Sequence, residues 1–180
     1  HGDRPLADLF VGSTAERVIR TGAHPVLVVS KKATRPYHRP LVAVDLGEGC
    51  APVVALAARA LEPGVVRGTL CHAYQVPFED LLVPGGSPGA VGGLRKEYAQ
   101  TAEQGVQALA RAGASSGLRW ETSVARGDAR TIILAQALKR RADLLVLGTH
   151  ARKGLAHALL GSVAEWVIRA APCDVLVARP

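Results

Sequence analysis

Residues 143–178 read DLLVLGTHARKGLAHALLGSVAEWVIRAAPCDVLVA, and the order of elements within them decides the fold. Leu144 to Leu147 form an apolar run with no polar alternation, which predicts a strand covered on both faces. A loop leaves it at Gly148. Gly161-Ser162 then opens a helix over 162–170, and Val175 to Ala178 form a second apolar strand. Two buried strands joined by a loop and a helix are the unit of a parallel α/β sheet.

The end of this stretch occurs twice. Residues 1–29 align without gaps on residues 150–178 at a fixed offset of 149, with thirteen of 29 positions identical. Chance would give about two on ordinary residue frequencies. The core of the match is Gly12-Ser13-x-Ala15-Glu16-x-Val18-Ile19-Arg20 against Gly161-Ser162-x-Ala164-Glu165-x-Val167-Ile168-Arg169. A period of that length is a whole domain, not a solenoid unit. The expected organisation is therefore residues 1–30 as the last helix and strand of a preceding repeat, 31–39 as a basic linker, and 40–180 as one complete domain. On this reading the chain is the C-terminal portion of a tandem-repeat protein.

Working outward, strands are expected at 26–30, 41–45, 68–74, 119–125, 143–148 and 175–178. Helices are expected at 51–61, 94–112, 128–141 and 162–170. Gly105 inside the 94–112 helix lowers its propensity. Asp128 stands where an N-cap is needed. Residues 75–93 contain many prolines and glycines and read as a surface excursion. From residue 40 onward strands alternate with helices. The predicted fold is a doubly wound, mostly parallel five-stranded sheet with helices on both faces, plus the terminal helix and strand of the preceding repeat. Such sheets bind ligands at the carboxyl ends of their strands, where the strand order reverses. Asp45, Ala73, Gly127 and Gly148 all fall at strand ends.

Composition excludes several classes. The chain is 48% hydrophobic over 180 residues, enough for one buried core. No apolar run approaches the roughly 20 residues of a membrane span. Three cysteines, Cys50, Cys71 and Cys173, are scattered without metal-ligand spacing, which fits a reducing cytoplasm rather than a disulfide framework or zinc site. The net charge is +7. Only Lys31-Lys32…Arg35…Arg39 and Lys139-Arg140-Arg141 cluster, and no aromatics interleave them, so the sequence argues against a nucleic-acid platform.

The segment after Gly148 carries the binding chemistry. A helix start presents unpaired N–H groups and a positive dipole end, which suit a phosphate. Glycine permits close backbone approach, and Ser162 has a hydroxyl for a cap or a phosphate oxygen. His150 reads as a solvated loop residue and His72 as an inward or edge strand residue. Glu16 and Glu165 recur at one helix position, one turn before Arg20 and Arg169. No Ser/His/Asp set, paired carboxylates or metal spacing is present, so nothing demands catalysis.

The stretch GTHARKGLAHALLGSVAEWVIRAAPCDVLVA, residues 148–178, closely resembles the C-terminal signature of the universal stress protein family. The ordering of Leu41–Asp45, Leu70–Ala73, Val124–Gly127 and Ala142–Gly148 is similar to that family as well. ATP-binding members carry a Gly-x-x-Gly-(nine residues)-Gly-Ser/Thr pattern, which Gly148, Gly161 and Ser162 match. By this resemblance Asp45 would bond the adenosine, with backbone near Val44 and Ala73 lining the base. Leu147 and Gly148 would border the ribose and phosphates, and Ser162 with the Val163 N–H would hold the phosphates. Ala151 stands where the second glycine belongs; its methyl crowds the backbone approach and resists positive φ at a cost of about 1 kcal/mol. The serine common two residues after the aspartate is also absent. In the N-terminal copy, by contrast, the second glycine is kept at Gly2, with nine residues between it and Gly12-Ser13. The resemblance implies a cytoplasmic ATP-binding module or dimeric scaffold in stress response, self-associating through the last strand of each repeat. The alternatives are a scaffold of the same fold that binds no nucleotide, and a slow ATPase.

Overall fold

A computed structural model of the chain describes residues 13–22, 24–30, 35–77, 79, 88–114, 117–149 and 160–179. The elements are α1 (Ser13–Thr21), β1 (Val26–Val28), β2 (Pro40–Ala43), α2 (Cys50–Arg59), β3 (Arg67–Tyr74), α3 (Pro88–Gly113), β4 (Arg119–Arg126), α4 (Ala129–Lys139), β5 (Leu144–Gly148), α5 (Ser162–Ala170) and β6 (Asp174–Ala178).

The strands form one sheet in the order β1-β6-β5-β2-β3-β4. The five strands from β2 onward are parallel to their neighbours, as expected. The sixth, β1, runs antiparallel along β6. Leu27 lies opposite Leu176, with Val26 on Val177 and Val28 on Val175. Leu176 is the residue 149 positions after Leu27, so each copy's central leucine faces its own counterpart. The pairing is thus symmetric about Leu27 and Leu176, and the expected neighbouring of the two terminal strands is present over three residues.

Because β strands alternate their side chains, each fully buried strand feeds two cores. Leu145 and Leu147 of β5 pack with Ile133 and Ala137 of α4, Ala164, Val167 and Ile168 of α5, and Ile19 of α1. Leu144 and Val146 pack with Val53, Val54 and Ala57 of α2 and Val106 of α3. Helices α1, α4 and α5 therefore cover one face, and α2 and α3 the other. The apolar run of β5, with no polar alternation, is the direct signature of this sandwiching.

Two local readings hold and one changes. Asp128 caps α4, its carboxylate accepting from the N–H groups of Arg130 (3.0 Å) and Thr131 (3.3 Å). Glu165 pairs with Arg169 one turn on (3.2 Å), and also with Arg20 of α1 (3.5 Å), joining the two helices whose sequences match. The helix expected at 94–112 instead begins at Pro88, six residues earlier, so the excursion is shorter than 75–93. Proline suits a first helical position, where its missing N–H costs nothing. Gly92 and Gly93 then continue the helix despite their low propensity, and a Cβ built on either would meet no neighbouring residue within 4 Å.

Candidate functional site

The sheet reverses direction between β2 and β5: the chain moves outward from β2 to β3 and β4, then returns to β5 on the other side of β2. Ala43, the last residue of β2, is in register with Cys71 of β3 and Leu147 of β5. The next residues, Val44 and Asp45, therefore emerge at the switch point, flanked by Ala73 on one side and Gly148 on the other. Since α5 follows β5 and leads into parallel β6, its N-terminus lies at this same carboxyl end. The fold thus brings Val44, Asp45, Ala73, Leu147, Gly148, Gly161, Ser162 and Val163 to one end of the sheet. Ala151 and His150 lie outside the described residues.

Local chemistry shapes each position. The Val44 N–H donates to the Cys71 carbonyl (2.9 Å), and the Val44 carbonyl accepts from Nδ1 of the buried His72 (2.8 Å). A carbonyl can only accept, so Nδ1 carries the proton. His72 is thus a strand residue that ties β3 to the end of β2. Leu147 is buried and Gly148 half-buried. A Cβ on Gly148 would stand 3.1 Å from Val53 Cγ2, so the glycine admits α2 against the end of β5. Beyond it the buried Thr149 donates its N–H to the Ala178 carbonyl (3.0 Å).

Asp45 is exposed, and its Oδ1 accepts from the Gly47 N–H and from the Cys50 thiol, both at 2.9 Å. Between them Leu46 holds φ at +64°, a strained conformation for a branched side chain. Burial pushes the Cys50 thiol up to about 11, and the Asp45 hydrogen bond and charge push the same way. Near neutral pH it therefore stays an S–H donor. The sequence reading did not find Cys50; its only signal was a thiol five residues after a strand-end aspartate.

At the helix start, Gly161 is the N-cap, in extended backbone with no side-chain cap bond. Ser162 is consequently the first helical residue and not the cap. Its side chain and that of Val163 are exposed. The first intrahelical bond is Glu165 N–H to Gly161 carbonyl (2.9 Å), which leaves the N–H groups of 162–164 pointing out of the helix end. Past the end of β3, Glu79 pairs with Arg95 and Arg126. The Arg126 hydrogen bond foremost, then Arg95, holds its carboxyl below the usual range. This pins the chain leaving β3 to the ends of β4 and α3.

The universal stress protein family model matches residues 36–179. The chain belongs to the universal stress protein family. It is 39% identical over 103 residues to universal stress protein MJ0531 of Methanocaldococcus jannaschii, covering 57% of this chain and 58% of that protein. A universal stress protein structure from Archaeoglobus fulgidus superposes with a TM-score of 0.71 at 19% identity, over 99% of this chain and 59% of the other. A universal stress protein solved in complex with cAMP superposes at 0.55 with 20% identity, covering 80% and 98%. The chain thus spans about three-fifths of the length of two of these universal stress proteins. The structural likenesses establish the α/β fold with its mostly parallel sheet. Among the described residues no helix is long and apolar enough to cross a membrane, and no three His, Cys, Asp or Glu side chains group as metal ligands.

Proposed function

We propose that this universal stress protein domain binds an adenine nucleotide across the carboxyl ends of β2, β3 and β5, ATP being the ligand the loop pattern suits. The observation that carries the reading is the register placing Val44 and Asp45 between Ala73 and Gly148 at the reversal of strand order. Ligands bind open α/β sheets at such points. The base lies between Asp45 and Ala73, Leu147 and Gly148 border the ribose, and the phosphates meet Ser162 and the N–H of Val163 at the α5 dipole. That a family member was solved with cAMP supports the nucleotide class.

A second reading, a scaffold that binds no nucleotide, is favoured by one feature: the Asp45 Oδ1 already accepts two donors from its own chain. Ala151 at the second glycine position weighs the same way. Calorimetric titration with ATP separates the two readings. Saturable binding that Asp45→Ala abolishes supports the site; no heat in the parent leaves the scaffold. Magnesium-dependent release of ADP would add the slow ATPase.

Residues 1–30 are read as the end of a preceding repeat, joined by 31–39 to the domain at 40–180. The symmetric register about Leu27 and Leu176 supports this, as does the longer Archaeoglobus relative. The same strand pairing is the proposed mode of self-association. Free thiols at Cys50, Cys71 and Cys173 suit the cytoplasm.

A further inference from the structure

Arginines from the two basic clusters of the sequence, far apart along the chain, meet at the amino-terminal end of the sheet, opposite the proposed nucleotide site. Arg35 and Arg39 arrive from the segment before β2; Arg140 and Arg141 end α4. Together with Arg67 at the start of β3 they line two adjoining clefts. One, of about 420 Å³, takes in Arg35, Arg39 and Arg141; the other, of about 300 Å³, takes in Arg39, Arg67 and Arg140. Arg39 and Ala142 line both.

Three carboxylates line the same clefts, and each already has partners there. Asp143 accepts from the backbone N–H groups of His38 (2.9 Å) and Arg39 (2.8 Å). Asp174 accepts from the Ser30 N–H (2.8 Å), the Ser30 hydroxyl (3.0 Å) and the Tyr37 hydroxyl (2.7 Å). Glu121 pairs with Arg140 (2.9 Å). Among the described residues, Arg35, Arg39, Arg67 and Arg141 have no carboxylate at ion-pair distance.

Two further features run against stability. Arg141 adopts φ +49° just past the end of α4, while Ala142 N–H closes back on Ala137 (2.9 Å) and Arg141 N–H on Leu138 (3.0 Å). That is the position where helices commonly place glycine. Arg67 and Arg119 stand side by side in register at the first positions of β3 and β4, and like charges so placed repel. Unfavourable local choices gather where a site requires them.

We infer that this pole is a second, anion-binding site, built for a linear di- or triphosphate chain that reaches from one cleft into the other. Guanidinium forks match phosphate oxygens in pairs, and the volumes lie at the small end of ligand pockets. Two aromatic rings line the clefts: Tyr37, whose hydroxyl is committed to Asp174, and the imidazole of His38 in the smaller one. Among the described residues no row of rings interleaves the arginines to stack successive bases, which favours a polyphosphate chain over nucleic acid. The inference does not depend on nucleotide binding at the other end.

The test is a titration of the whole chain with inorganic triphosphate, followed by calorimetry and by backbone amide shifts. Saturable binding is expected, weakened by salt, with shifts at 35–39 and 139–143. Arg141→Gly suits the positive φ and so keeps the melting temperature of the parent or raises it. It should nevertheless bind triphosphate about tenfold more weakly, the loss of one charge-assisted contact. Arg141→Lys should fall between, keeping charge without the fork. Absence of saturable binding, shifts confined to 161–163, or undiminished affinity in Arg141→Gly would overturn the inference. So would a single-stranded oligonucleotide that outcompetes triphosphate at these residues.

Discussion

The Cδ1 atom of Leu46 lies 2.8 Å from the point a Cβ would occupy on Gly105. Leu46 is the strained residue between Asp45 and Gly47, and it rests on the middle of α3. The glycine that weakens α3 by propensity is what lets this turn sit down.

Three glycines of α3 therefore make a controlled comparison. In Gly92→Ala or Gly93→Ala the new methyl meets nothing within 4 Å, so each variant should gain about 1 kcal/mol of stability in urea denaturation. Gly105→Ala should gain nothing, because displacement of Leu46 offsets the propensity term, and Gly105→Val should lose stability outright. Equal gains at all three alanine variants would show that the Leu46 contact carries no energy.

Asp45 and Cys50 report on each other. Burial is the main cause of the raised Cys50 value, with the Asp45 hydrogen bond and charge adding to it. Asp45→Asn removes the charge, so the midpoint for Cys50 alkylation should move down from about 11 while staying above its ordinary value. Cys71, also near 11 but through burial, should not move. Peptide-resolved alkylation against pH reads both thiols in one sample.

Alkaline pH should destabilise the fold through the same thiols. Each deprotonates near 9 when unfolded but at about 11 for Cys50 and Cys71 and about 12 for Cys173 when folded. The folded state then holds more protons than the unfolded one, so this stability is present below pH 9 and lost as pH rises through 11 to 12. Unfolding midpoints measured from pH 7 upward should fall more steeply in the parent than in a variant with all three cysteines replaced by alanine.

Asp174 fastens the segment between β1 and β2. Its buried carboxylate accepts three bonds from Ser30 and Tyr37; burial first, and then the hydrogen bond and charge of this carboxylate, push the Tyr37 hydroxyl well above its ordinary value. Asp174→Ala strands these donors and should cost about 2 kcal/mol. It should also bring the Tyr37 titration down, seen by ultraviolet absorbance. A loss under half a kcal/mol would mean that Ser30 and Tyr37 find water as readily as the carboxylate.

Much of this protein follows from local pattern. Leu144 to Leu147 show no polar alternation, so the strand had to be covered on both faces. The copy of 150–178 at 1–29 marked β1 and β6 as equivalent strands, and Asp128 before an apolar run foretold a cap. The strand ends carrying Val44, Asp45, Ala73 and Gly148 were legible because a parallel sheet puts all such ends on one side. What the tertiary structure alone decided depends on which elements become neighbours. Only the order β5-β2-β3 sets Asp45 between Ala73 and Gly148. Only the turn held by Leu46 against Gly105 brings the Cys50 thiol to the Asp45 carboxylate. Only the passage of residues 35–39 along the sheet's amino end gathers Arg35 and Arg39 beside Arg140 and Arg141. Hydrophobic pattern is written residue by residue and can be read from one chain position at a time. A hydrogen bond or charge cluster between distant segments exists only after the backbone has been folded, because its energy depends on separations in space that sequence spacing does not record.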